Sequence, residues 1–166
     1  ALGVDGLDEQ ITDMSRDLFE VRNKEIRTII AEYQRRLKAE THPKIKQDLQ
    51  ILITSAADTL RTDALNRQHF IPFENMTSMI FGVVKQTLDP RIPKERQQTL
   101  MVRLNKYAGI TKGFQPITEL AHERMKERIK ADPKLIGPYK GEVEQALSSL
   151  PALMKGLKAM LLLSTL

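Results

Sequence analysis

The sequence predicts an all-α fold, an irregular array of about six to seven helices, and three observations predict it. Apolar residues recur at three- and four-residue steps through most of the chain, the period that places them on one side of a helix. No stretch alternates apolar and polar residues as a half-buried strand would, and no hairpin dipeptide separates two apolar runs. Pro and Gly fall mainly between the periodic stretches, where they stop or start helices.

The first periodic stretch runs from about Leu7 to Glu40. Leu7, Ile11, Met14 and Leu18 begin it, and Ile26, Ile30, Tyr33 and Leu37 continue it. The stripe changes phase near Val21 to Asn23, which predicts a bend or break there. Arg35, Arg36 and Lys38 sit toward its end, where cations favour the helix dipole. His42-Pro43 closes it, because the residue before Pro avoids helical geometry. A second helix opens at Pro43, buries Ile45, Leu49, Leu52, Ala56 and Leu60, and runs to about Gln68, before the elbow Phe70-Ile71-Pro72-Phe73.

A third helix is predicted over about Glu74 to Leu88, with Met76, Met79, Ile80, Val83 and Val84 inward. Gly82 inside it costs ~1 kcal/mol relative to Ala, so close approach of another helix is expected there. Asp89-Pro90-Arg91-Ile92-Pro93 is a stiff connector. The fourth helix covers about Pro93 to Tyr107, with Leu100, Met101, Leu104 and Tyr107 inward, and Gly109 stops it. The fifth starts at Pro116, buries Ile117, Leu120, Ala121, Met125 and Ile129, and ends at Asp132-Pro133. After a loop at Leu135 to Gly141, a sixth helix is predicted to Leu150 and a seventh from Pro151 to Leu163.

Length and composition bound the architecture. Residues 1–166 make a single helical domain or the N-terminal region of a larger protein. Hydrophobic residues are 41% and charged residues 28% of the chain, which suits a globular domain. Aromatics are only 5% and Trp is absent, so the core is aliphatic, with Met filling gaps. With no Cys, disulfides, thiolate zinc sites and cysteine nucleophiles are excluded.

The most apolar run, Ala159 to Leu163, is far shorter than the ~20 residues that a bilayer span needs. Helix seven becomes apolar on all sides at Met160 to Leu163, and such a surface is normally buried. Together with a first residue that is not Met and a start lacking a signal-peptide pattern, this leads us to expect a fragment of a larger helical protein.

Motifs that carry chemistry are few. His122-Glu123 begins like a zinc-protease helix, but that motif needs a second His four residues on. Lys126 stands there, and its ammonium would repel a cation. His42 and His69 lie at a helix boundary and an elbow. No Ser sits in a nucleophile elbow, and Gly3-Val4-Asp5-Gly6 is too short for a phosphate loop. No carboxylate pair stands out for acid–base work. No catalytic, cofactor-binding or metal residue is assigned.

Charge marks one place. The chain carries a net +5, which permits anionic partners without requiring them. Between Asp89 and Lys112 six cations face two anions, Asp89 and Glu95, a local balance of +4. Arg91, Arg96, Arg103 and Lys106 are the candidate patch. It serves either an anionic partner or a solvated face tied by ion pairs to neighbouring helices. Interleaved aromatics for base stacking are missing, so no nucleic acid is expected.

A set of short motifs runs through the centre of the chain. Asp48-Leu49-Gln50-Ile51-Leu52 comes first, then Leu88-Asp89-Pro90-Arg91, then Arg96. Arg103-Leu104-Asn105-Lys106-Tyr107-Ala108-Gly109 follows, with Gly113, Pro116, Gly137-Pro138 and Pro151-Ala152-Leu153. In this order they resemble the N-terminal portion of a bacterial family of unknown function, numbered eight-eight-five among such domains. The resemblance covers roughly Ile45 to Leu157.

It implies a longer, largely helical protein of the cell envelope, described in that family as lipoproteins or secreted proteins. It also implies a C-terminal part similar to zinc metallopeptidases. That part's His-bearing motif has no matching positions here, so no catalytic residue carries over, and zinc would belong to the missing part. The implied partner of this chain is the rest of the same protein. Membrane attachment would come only through an N-terminal lipid anchor outside this segment. The alternative reading is a free-standing basic helical module that binds nucleic acid or acidic lipid through the patch.

The first reading expects that titrating the purified chain with zinc in a calorimeter gives no stoichiometric uptake. One zinc per chain at micromolar affinity or better would refute that expectation.

Overall fold

The computed structural model describes residues 6–164, and all of its regular elements are helices. These are α1 (Leu18–Ala39), α2 (Pro43–His69), α3 (Met76–Thr87), α4 (Lys94–Gln97), α5 (Thr99–Tyr107), α6 (Ile117–Ala131) and α7 (Lys140–Leu163). No strand of two or more residues occurs among the described residues. Gly3, Val4 and Asp5 of the glycine motif considered above lie outside the described residues. The chain forms two compact units, Ser15–Ile71 and Ala1–Met14 with Pro72–Leu166.

The Ser15–Ile71 unit is an antiparallel helix pair. On α1, Asn23, Ile26, Ile30, Tyr33 and Leu37 are the more buried positions, a stripe at three- and four-residue steps. On α2 the equivalent stripe is Leu49, Ile53, Ala56 and Leu60. Ile53 therefore takes the place predicted for Leu52, and Ile45 and Leu52 are exposed. The four-residue step from Leu49 to Ile53 keeps one continuous face, whereas Leu52 points to its flank. Charged side chains meet at the open end of the pair. Arg22 pairs with Asp63 at 3.9 Å and Arg67 with Glu20 at 3.5 Å. The Arg67 guanidinium lies 4.4 Å from the centre of the Phe19 ring.

The predicted first helix starts too early. Residues 7–17 carry no helix before Leu18, and the helix passes through Val21 to Asn23 without a break. In the other unit, Ile11 and Met14 from this segment pack against a core of Met76, Tyr107 and Ile117. Ile11 and Met14 stand three positions apart, as on one face of a helix, yet the backbone that carries them is not helical.

The remaining helices build around that core. Asn75 caps α3 by accepting a hydrogen bond from the Ser78 amide at 3.0 Å. Val84 of α3, Leu100 of α5 and Ile117 of α6 are the most completely buried large side chains. Met101 and Ile129, predicted inward, are exposed. The predicted fourth helix is two pieces, α4 and α5, joined at Gln98, whose backbone stays in the right-handed helical region.

Gly109 stops α5 in a left-handed conformation, φ 71°, with its amide donating to the Lys106 carbonyl at 3.1 Å and the Ile110 amide to Asn105 at 2.9 Å. A Cβ at Gly109 would lie 2.6 Å from Pro116 Cδ. Glycine is required there twice over, by torsion and by space.

Two further expectations change. Among the described residues nothing lies within 4 Å of where a Cβ on Gly82 would stand; the close approach is at Gly156 of α7, where a Cβ would meet the Phe81 ring at 2.9 Å. The predicted sixth and seventh helices are one, α7, which runs through Pro151. Pro151 removes a single backbone hydrogen bond, and α3 packs along the same helix. The uninterrupted α7 is long and apolar enough to cross a membrane by length and composition, which the five-residue run from Ala159 did not reveal.

Leu100→Ala should destabilise the protein by about 2–5 kcal/mol in urea unfolding. Leu52→Ala, at an exposed site, should stay within about 0.5 kcal/mol of the parent.

Candidate functional site

The four candidate cations lie on and around α4 and α5, and the structure brings three of them to one place. Arg96 of α4 donates from Nε to both carboxylate oxygens of Asp8, at 3.0 Å each, and from Nη2 to Oδ1. A guanidinium fork matches a carboxylate in this geometry. Lys106 Nζ, ten residues further along, donates to the Glu9 carbonyl at 2.7 Å and sits 3.8 Å from the Glu9 carboxylate. It also lies 5.6 Å from the centre of the Phe114 ring, within cation–π range. Arg103 stands between them in sequence, and its charge also acts on Asp8. Its Nε is buried without a hydrogen-bond partner among the described residues.

Thr99 completes the clasp. Its hydroxyl is 2.7 Å from the Arg96 carbonyl and 3.2 Å from the Asp8 carbonyl, both acceptors. The segment 8–14 is thus held at both ends: Asp8 and Glu9 by the cations, Ile11 and Met14 by the core. Thr12 adds a hydroxyl contact to Met79 Sδ at 3.1 Å.

Arg91 is apart from this cluster. It chelates Asp89, Nε to Oδ1 at 2.9 Å and Nη2 to Oδ2 at 2.8 Å, and its amide also donates to Asp89 Oδ1 at 2.9 Å. The Arg91 guanidinium holds the Asp89 carboxyl far below the usual carboxylate range. The connector is therefore stiffened by a ring of hydrogen bonds as well as by its two prolines, and Gln97 reaches back to the Asp89 and Ile92 carbonyls at 3.2 and 2.9 Å.

The histidines stay separate. His42 is the N-cap of α2, His69 ends the same helix with its ring edge-on to Phe70, and His122 is exposed on α6. Among the described residues no three His, Asp or Glu side chains gather where a metal would sit. The described residues do not form a zinc site. An open depression along α2 is lined by Gln50, Thr54, Ser55, Asp58, Thr59 and Thr62 among others. Its threonines spend their protons locally, Thr54 on the Gln50 carbonyl and Thr59 on the Ser55 carbonyl, and Asp58 pairs with Arg61 at 3.0 Å. Nothing there converges on a ligand.

Asp8, Glu9 and Thr99 are the members that sequence reasoning missed. Asp8 and Arg96 are 88 residues apart, and no local pattern links them. The only hint was two adjacent carboxylates in a basic chain. Comparisons with family models, with curated proteins and with solved structures give no match to this chain.

The Arg96 hydrogen bonds lower the Asp8 pKa below its ordinary 3.8, against a smaller opposing effect of burial. A carboxylate depressed in the folded state contributes stability above its unfolded value, and that contribution disappears as pH falls through the lower folded value. Asp8→Asn should therefore lower the melting temperature at neutral pH. The gap between parent and variant should close as the pH is taken well below 3.8. A gap that is absent at neutral pH would refute the clasp.

Proposed function

We propose that this chain is a non-catalytic helical region of a bacterial envelope protein, and that the catalytic part, similar to zinc metallopeptidases, lies in further polypeptide of the same protein. The observation that carries this reading is where the resembling motifs fall. Tyr107 is buried in the core, Gly109 closes α5, and Pro116 packs against that glycine and opens α6. Asp89 and Arg91 rigidify the connector, and Arg96 clasps Asp8. Leu49 is buried on α2. Each of these motif residues supports the architecture of its own unit, and none offers an imidazole or carboxylate to a shared cleft.

The occupancy of the cations favours this scaffold role over a free-standing module for anionic partners. Arg96 and Lys106 already hold Asp8 and Glu9, and Arg91 already holds Asp89. An external phosphate would have to displace each carboxylate, which removes much of the gain from binding.

The reading is tested on the native product. Antibodies against this segment, applied to fractionated cells of the source organism, should detect a species well above 18.9 kDa in the envelope fraction. A product of 18.9 kDa in the soluble cytoplasm would overturn it.

A further inference from the structure

Helix α7 has two unlike sides. Val143, Ala146, Leu150, Leu153, Gly156, Leu157 and Met160 are half-buried, and this side packs on α3, with Gly156 against Phe81. The opposite arc is open. Leu147 is 63% exposed, Met154 60% and Leu162 75%, and Pro151, Lys155 and Lys158 are exposed among them. At 1.5 Å per residue this arc is about 22 Å long. From Gln145 to Ser164 the helix has no acidic residue, and its only charges are Lys155 and Lys158.

We propose that this arc of α7 rests on an anionic bilayer surface, with the helix in the plane of the headgroups. Leu147, Met154 and Leu162 would enter the acyl boundary. Lys155 and Lys158 lie between them in the same arc, and their flexible stems reach up to lipid phosphates. Charge complementarity argues for this occupant, because Lys155 and Lys158 stand in the arc and no carboxylate occurs between Gln145 and Ser164. An anionic leaflet attracts both, and the net +5 of the whole chain adds to that attraction. The contact with Phe81 sets the orientation. A helix whose other side is packed on α3 lies along the surface instead of crossing the bilayer.

The residues proposed to touch lipid, Leu147, Met154, Lys155, Lys158 and Leu162, lie outside the resembling motifs, and vesicle binding can fail without altering the mass or fraction of the native product. The test is co-sedimentation of the purified chain with vesicles of equal parts phosphatidylglycerol and phosphatidylcholine, and with phosphatidylcholine alone. Binding should require phosphatidylglycerol and weaken with salt. Lys155→Glu and Lys158→Glu should each weaken binding by about fivefold or more, the worth of a lysine near a charged leaflet. Leu147→Ser with Leu162→Ser should weaken it with the charge unchanged, and Arg91→Glu, outside α7, should change it less than either α7 lysine variant. Circular dichroism of each variant should match the parent, because all of these positions are exposed. No binding to anionic vesicles at low salt would overturn the proposal. So would equal binding by the α7 variants, or a parent dimer that the double serine variant converts to monomer.

Discussion

The Pro72–Leu166 part of the chain depends on one tight junction. Tyr107 must enter the core beside Met76 and Ile117, and the chain must then reverse within nine residues so that α6 can supply Ile117. Gly109 and Pro116 make that reversal possible. Gly109 turns the backbone left-handed, and Pro116 lies so close to it that no side chain fits between them. A helix ending of this kind satisfies the last carbonyls of α5 and fixes the direction in which the chain leaves. The positions of α3, α5 and α6 about Met76, Tyr107 and Ile117 follow from it.

Electrostatics is used within the same unit to hold a segment that cannot hold itself. Residues 8–14 carry little backbone hydrogen bonding of their own, with the Gln10 amide on the Leu7 carbonyl as one turn. They are kept in place by Arg96 and Lys106 at one end and by apolar burial of Ile11 and Met14 at the other. Excess positive charge on α4 and α5 is thereby matched by carboxylates from a distant part of the chain. A local balance of +4 looks like a docking patch in one dimension. In three dimensions much of it is internal complementarity, and charge-assisted forks of this type give geometry as well as attraction.

Helix α7 shows the opposite situation, an apolar surface with no internal partner on one side. Its inner side is tied to α3 through Gly156 and Phe81. Its outer side keeps Leu147, Met154 and Leu162 in solvent beside two lysines. Pro151 does not divide it, because one lost backbone bond is small against the packing of a helix of 24 residues. Large apolar side chains exposed along one arc, with two lysines among them, give that side of α7 an amphipathic character.

Helical periodicity determined much of this protein in advance. The class of the fold, the extents of α2, α3 and α6 to within about two residues, the stop at Gly109 and the start after Pro116 were all legible, because each depends on residues a few positions apart. Tertiary structure decided the rest. The stripe Leu7, Ile11, Met14, Leu18 reads as helix, yet its first three members lie outside α1, because a core partner and a carboxylate clasp compete with the local hydrogen bonds. Leu52 and Ile53 are equally apolar, and only the direction of α1 chooses Ile53. The pairing of Asp8 with Arg96 spans 88 residues, and no local spacing encodes it. Sequence alone thus set the all-α class and the extents of three helices and offered no recognisable catalytic motif, while long-range contact decided the remaining helix boundaries, which charges are already spoken for and which apolar side of α7 remains open.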